Sequence, residues 1–235
     1  FQEGPALSNQ FRADLLLQET LKQKLPAGIY QQAQPELDRM GERAVTDLLV
    51  ASERAEREEP VHKPFDPWGR RIDEIEMSPG WKHISDVAVE EGIVATGYER
   101  KFGEYSRLVQ FAKLYLFHPS SAFVSCPLAM SDGAARAIEL YGDEELKKGP
   151  FQRLVSRDPS AAWTSGQWMT EKSGGSDVSG TATLARSKGN GWFELEGVKW
   201  FTSATTSQMS MALARIEGHP EGSKGLSLFY IPMRD

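Results

Sequence analysis

The spacing of apolar residues changes character once along this chain, at Asp158-Pro159, and no other feature constrains the fold as much. Before that point apolar side chains recur at three- and four-residue steps, as on a helix packed along one face. After it they fall into short, strand-length runs separated by turn residues. At 235 residues the chain can bury a substantial core. The pattern predicts an α+β protein, helical over residues 1–157 and β over residues 158–235.

Local signals fill in the elements. Ser8 or Asn9 can cap a first helix carrying Phe11, Leu15, Leu21 and Leu25 on one face. Pro35 suits the first turn of a longer helix through Leu37, Met40, Ala44, Leu48 and Ala51, ending in the charged run 53–59. Residues 60–75 are turn-rich, and Ser78-Pro79 opens a helix with Trp81, Ile84, Ala88 and Ala95 facing inward. Two more helices are predicted, over 108–117 and 128–141, the second stopped by Gly142. Strands are predicted at 161–169, 181–186, 192–199, 210–216 and 226–232, with Asn190-Gly191 as a hairpin turn and 218–224 as a loop.

Composition excludes several function classes. The net charge of -6 and pI near 5.4 argue against a nucleic-acid grip in this segment. Cys126 is the only cysteine, which rules out an intrachain disulfide and points to a reducing, intracellular compartment such as cytoplasm, mitochondrion or peroxisome. His62, His83, His118 and His219 are scattered and no CxxC or HExxH spacing occurs, so no metal site is expected. No apolar run approaches the ~20 residues that span a bilayer. Nothing at Phe1 resembles a signal peptide, and the stop at Asp235, just after a strand-like run, predicts a truncated chain.

The chemistry is concentrated in two segments. Gln167-Trp168-Met169-Thr170-Glu171-Lys172-Ser173-Gly174-Gly175-Ser176-Asp177-Val178 is a polar, glycine-containing loop entered from an apolar-alternating run. Lys199-Trp200-Phe201-Thr202-Ser203 is an aromatic-hydroxyl cluster further on. Together they suit a planar, electron-rich cofactor with an anionic tail. Hydroxyls and backbone N–H groups bond its rim, an aromatic ring lies on its face, and the Gly-Gly-Ser turn lets backbone approach a phosphate. Each piece alone has a plainer reading. Gly174-Gly175 alone is a turn, Trp200-Phe201 alone is strand core, and the hydroxyls of Thr170, Ser176, Thr202 and Ser203 alone cap turns. Likewise Gly69-Arg70-Arg71 either binds phosphate or pairs with Asp66 and Asp73, Cys126 reads as a small apolar residue, and His118 as a helix-terminal one.

At Met169–Val178 and Lys199–Ser203 the chain resembles the acyl-CoA dehydrogenase flavoprotein family. Common members carry Thr-Glu-Pro-x-x-Gly-Ser-Asp here. Lys172 in place of the proline, followed by Gly174-Gly175, looks like the branch containing the alkylation-response flavoprotein AidB. Phe65-Asp66, Gly69-Arg70-Arg71-Ile72-Asp73, Pro79-x-Trp81 and Ser125-Cys126-Pro127 with Met130 extend the resemblance over essentially the whole chain. It implies a helical N-terminal domain and an antiparallel β-barrel-like middle domain, with the family's C-terminal helical bundle absent. It also implies FAD as cofactor, held by Gln167, Trp168, Met169, Thr170, Ser176, Phe201, Thr202 and Ser203, with Ser176 also near the acyl-CoA. Phe201 takes the place of a tryptophan, keeping the π-face and dropping an N–H donor. The family's catalytic glutamate lies beyond Asp235, so no base is nominated, and Glu171 is expected to be structural.

The expected reaction is α,β-dehydrogenation of an acyl-CoA thioester with hydride transfer to flavin. An electron-transfer flavoprotein or oxygen would accept the electrons, and the family precedent is a homo-oligomer, a tetramer or dimer. One alternative is an AidB-like flavoprotein that associates with nucleic acid and has little dehydrogenase activity. Another is a flavin-free structural fragment in which the loop persists but the site is incomplete.

Overall fold

A computed structural model describes residues 1–233; Arg234 and Asp235, at the chain end, lie outside the described residues. Two compact units are formed, one by Phe1–Leu128 with Val155–Ala162, the other by Ala129–Leu154 with the residues from Trp163 onward.

The first unit is helical: α1 Gln10–Ala13, α2 Leu15–Lys24, α3 Ala27–Arg43, α4 Asp47–Arg57, α5 Pro79–Glu90, α6 Thr96–Glu99, α7 Ser106–Phe117 and the start of α8, Ser125–Tyr141. Asn9 caps α1, its Oδ1 accepting from the Phe11 and Arg12 N–H groups. The single first helix expected from spacing is two, because the Asp14 carboxylate accepts from Leu17 N–H and starts α2 afresh. Pro35 lies inside α3, not in its first turn. Burial of Tyr30, Ala33, Leu37 and Met40 along that helix offsets the lost N–H. Ser78 caps α5 as expected, its Oγ accepting from Trp81 N–H at 3.1 Å with Pro79 in the first turn. Phe11, Leu37, Met40, Leu48, Ile84, Phe102 and Phe117 make the buried centre.

Charge is also buried in this unit. The Lys113 ammonium, wholly shielded from solvent, donates to Glu36 Oε2 at 2.8 Å and to the Glu91 carbonyl. Lys101 reaches the other Glu36 oxygen at 2.6 Å, and Arg39 grips the buried Glu91 with both Nε and a terminal nitrogen. Burial pushes the Glu36 carboxyl up, but the two lysines outweigh it and hold the group at about 2.

Residues 60–75, expected to be turns, contain a two-stranded antiparallel ribbon, β1 Val61–Phe65 with β2 Arg71–Glu76. Nearly every position on it is exposed, so no apolar alternation marks it in the sequence. Its tip settles the Gly69-Arg70-Arg71 element: Asp66 accepts from the Trp68 and Arg70 N–H groups and pairs with the Arg70 guanidinium at 2.6 Å, and Arg71 pairs with Asp73. Both arginines are engaged by carboxylates.

The second unit holds the rest of α8, the short helices α9 Glu144–Lys148 and α10 Pro150–Leu154, and a five-stranded sheet. Its strands are β3 Ser165–Trp168, β4 Leu184–Gly189, β5 Trp192–Glu196, β6 Met209–Ile216 and β7 Leu226–Pro232. The buried β6 is the hub. β7 runs antiparallel along its whole length from Met209 to Arg215. The opposite edge is shared, with β3 parallel to residues 209–212 and β4 parallel to 215–216. The sheet is therefore mixed, where the sequence predicted an antiparallel one, and it is open rather than closed into a barrel among the described residues. The parallel pairs arise because β3 is followed by a long excursion, 169–183, instead of a tight turn. The β4–β5 hairpin turns at Asn190 (φ +52°) and Gly191 (φ +80°), as the Asn-Gly pair predicts. No helix among the described residues is long and apolar enough to cross a membrane.

Candidate cofactor-binding site

The excursion between β3 and β4 is the first of the two segments, and the loop between β5 and β6 is the second. Sharing one edge of β6 brings the end of β3 and the start of β4 beside each other, so the loop between them leaves the middle of the sheet. It folds back at once. Glu171 and Gly174 exchange backbone hydrogen bonds of 2.9 and 3.1 Å, closing a turn on Lys172-Ser173. A Cβ on Gly175 would sit 2.9 Å from Thr170 Cγ2 and one on Gly174 2.5 Å from the Asp177 carbonyl. Only glycine allows this approach at both positions.

The second segment is tied to the first at several points. Trp200 N–H donates to the Thr170 carbonyl at 2.9 Å, and the Trp168 indole N–H to the Ser203 carbonyl at 3.3 Å. Lys199 Nζ reaches the Met169 carbonyl at 3.4 Å and Glu171 Oε1 at 2.9 Å. Lys172 Nζ lies 5.0 Å from the centre of the Trp200 ring. Two stretches about thirty residues apart are thereby fixed against each other.

Glu171 is the anchor of this clasp. Buried, it accepts from Lys199, from the Thr183 hydroxyl at 2.5 Å, and from the Ala182 and Thr183 N–H groups at 2.8 and 3.0 Å. Burial raises its pKa, yet the Lys199 ammonium and these donors prevail and lower it to about 2. A carboxylate so stabilised in its ionised form is a poor proton acceptor. Its geometry is that of a structural residue, as the family resemblance implied. The roles of Lys199 and Thr183 carried no sequence signal, because neither sits in a recognisable spacing with Glu171.

The nominated residues fall as follows. Gln167 is exposed on β3, Trp168 closes that strand half-buried, and Met169 and Thr170 are half-buried just beyond it. Ser176 is exposed past the double glycine, Thr202 is half-buried and Ser203 exposed. Among the described residues no group bonds the hydroxyls of Thr170, Ser176, Thr202 or Ser203. By contrast, the buried hydroxyls of Ser165, Thr181, Thr183 and Ser210 all donate within the protein. Phe201 is the outlier. It is 77% exposed and its backbone is left-handed, with φ +57°; Ala204, three residues on, has φ +59°. An aromatic residue rarely adopts this conformation, and an exposed ring gains nothing from packing to offset it. A strained backbone presenting an exposed ring, beside half-buried Trp168 and unclaimed hydroxyls, fits a flat ring system lying on it. The Gly-Gly turn leaves backbone accessible to an anion. The residues present thus fit a flavin nucleotide. Elsewhere, Cys126 is half-buried near the start of α8, and His118 Nδ1 lies 2.8 Å from Ser125 Oγ at the end of α7.

Comparison with known proteins agrees with this geometry. Residues 5–158 match the family described as adaptive response protein AidB N-terminal domain, and residues 166–235 match acyl-CoA dehydrogenase, middle domain. Acyl-CoA dehydrogenase family member 11 of Caenorhabditis elegans is 42% identical over 243 residues, covering 100% of this chain and 39% of that protein. Among solved structures, the apo-form of Bd2924 is 57% identical with a TM-score of 0.94, covering 100% of this chain and 48% of its own. Caenorhabditis elegans ACDH-11 in complex with C11-CoA is 41% identical with a TM-score of 0.92, covering 100% of this chain and 41% of its own. The chain spans less than half the length of each of these relatives. On these matches, and on a clasped pair of loops that suits a flavin, the chain belongs to the acyl-CoA dehydrogenase family, in the branch marked by the AidB N-terminal domain.

Proposed function

We propose that the intact protein is a FAD-dependent oxidoreductase that dehydrogenates an acyl-CoA thioester between its α and β carbons. The observation that carries this reading is the strained, exposed Phe201 held beside Trp168 and the unclaimed hydroxyls of Thr170, Thr202 and Ser203. In this reading Phe201 supports the face of the isoalloxazine. Gln167, Trp168, Met169 and Thr170 run along its rim, and Thr202 and Ser203 bond its polar edge. Ser176, exposed beyond the Gly174-Gly175 turn, serves the pyrophosphate and the acyl-CoA. FAD, when bound, supplies a hydride acceptor; the chain's own residues orient it and shield one face from water. Glu171 is not the base, because Lys199 and its other donors occupy its oxygens and lower its pKa to about 2, which leaves it a poor proton acceptor.

Several further assignments go with this reading. Residues 1–157 act as the helical domain and 158–235 as the first part of the flavin-bearing domain, a division supported by the change of family match between 158 and 166. The relative's complex with C11-CoA supports a fatty acyl-CoA as substrate. An electron-transfer flavoprotein or oxygen takes the electrons, the protein works as a homo-oligomer, and a lone cysteine supports a reducing compartment.

Anaerobic titration of the intact protein with fatty acyl-CoA tests the proposal. Bleaching of the flavin absorbance is expected. Tight, salt-sensitive binding of duplex DNA without bleaching would favour the nucleic-acid alternative, which the net charge of -6 disfavours.

A further inference from the structure

Lys172 stands where common members of the family have proline, and the proline's usual effect is to preset one turn dihedral. Here the turn is closed by its own two backbone hydrogen bonds between Glu171 and Gly174, so it needs no such constraint. The lysine contributes something a proline cannot. Its stem is exposed, yet its ammonium is set over the Trp200 ring, 5.0 Å from the centre, and not on a carboxylate. Adjacent residues of the second segment thus meet adjacent residues of the first: Lys199 pairs with Glu171 and Trp200 lies under Lys172. Trp200 is 48% exposed, so packing alone does not fix its ring. Its neighbour Phe201 has the left-handed backbone, a conformation that persists only where its surroundings over-determine it.

We propose that Lys172 is a positioning residue for the flavin: through a cation–π contact it immobilises Trp200 and thereby holds Phe201 in the strained conformation that presents its ring. The inference rests on the flavin reading and deepens it. An attraction of this kind between ammonium and indole is modest at an exposed site, so the effect on the cofactor is modest too. Because Lys172 is exposed and bridges no buried group, its replacement leaves folding intact.

The experiment compares the intact wild-type protein with Lys172→Met, which keeps the stem and removes the charge, and Lys172→Arg, which keeps the charge. FAD release is followed by recovery of flavin fluorescence. In parallel, 19F NMR of 5-fluorotryptophan-labelled, flavin-free protein reports the Trp200 signal, assigned with Trp200→Phe. Lys172→Met is expected to release FAD about two- to fivefold faster and to shift the Trp200 signal, with an unchanged melting temperature; Lys172→Arg restores both. If either the release rate or the Trp200 signal of Lys172→Met stays at the wild-type value, the inference is overturned while the flavin reading stands. Wild-type protein that takes up no FAD overturns the flavin reading and the inference with it.

Discussion

Both units bury a lysine–glutamate pair, yet only one pair belongs to the candidate cofactor site. Lys113 and Glu36 sit among helices, with side chains 0% and 12% exposed, and their surroundings are packed apolar core or further ion pairs. Lys199 and Glu171, 9% and 7% exposed, carry above them an exposed phenylalanine in a left-handed backbone and hydroxyls that no described group bonds. A buried ion pair is therefore not itself the mark of function in this molecule. Strain and exposure alone do not distinguish the second region, since Phe123 in the helical unit has φ +70° and is 68% exposed. What distinguishes it is a strained, exposed Phe201 on a loop clasped to a double-glycine turn and to hydroxyls that no described group bonds.

The largest expected effect comes from removing the lysine of either pair, which costs a buried carboxylate one of its donors, although Glu36 keeps Lys101 and Glu171 keeps Thr183 and two backbone N–H groups. Lys113→Met and Lys199→Met should each cost about 3 kcal/mol or more in unfolding experiments. The contrast sharpens in the FAD affinity of the protein that remains folded. Lys199→Met is expected to lower it, and Lys113→Met to leave it unchanged. Equal flavin loss in both would erase the distinction between the regions.

Acid should act on the two pairs alike. Glu36 and Glu171 both titrate at about 2 in the folded protein, below the usual value of about 4.3 for an unfolded glutamate. Each depressed pKa contributes stability that is complete above roughly pH 4.5 and lost as the pH falls toward 2, on the order of 3 kcal/mol apiece. Unfolding free energies measured from pH 5 to pH 2 should fall accordingly. The fall should shrink in Glu171→Gln, and an undiminished slope there would count against the buried clasp.

A smaller effect of opposite signs is expected at Phe201. Phe201→Gly relieves the left-handed strain, so thermal stability should hold or rise by up to about 1 kcal/mol. FAD retention should weaken by ~0.5–1.5 kcal/mol for loss of the aromatic face. A variant that loses stability and keeps its flavin would mean the ring packs within the protein. Of comparable size are Ser176→Ala and Ser203→Ala, each expected to weaken flavin binding by about 0.5–1.5 kcal/mol in equilibrium titrations.

Much of the fold is legible in the sequence. Asn9, Ser78 and Asn190-Gly191 act as the cap and turn chemistry of those residue types dictates, since each effect is local. The double glycine and the aromatic-hydroxyl cluster marked both halves of the candidate site. What was not legible depended on long-range geometry. The exposed β1–β2 ribbon has no apolar face to advertise it, and Pro35 is tolerated in mid-helix because one face of α3, through Tyr30, Ala33, Leu37 and Met40, is buried. The parallel pairing of β3 and β4 with β6 required knowing that they share an edge. Lys199, Thr183 and the φ of Phe201 are likewise consequences of two distant segments meeting.

The most direct measurement is uptake of FAD by the intact protein, followed by its visible absorbance after removal of free cofactor. Convergence of 167–176 with 199–203 on a flavin predicts a yellow protein with FAD bound in proportion to chain. A colourless protein that refuses added FAD would contradict it.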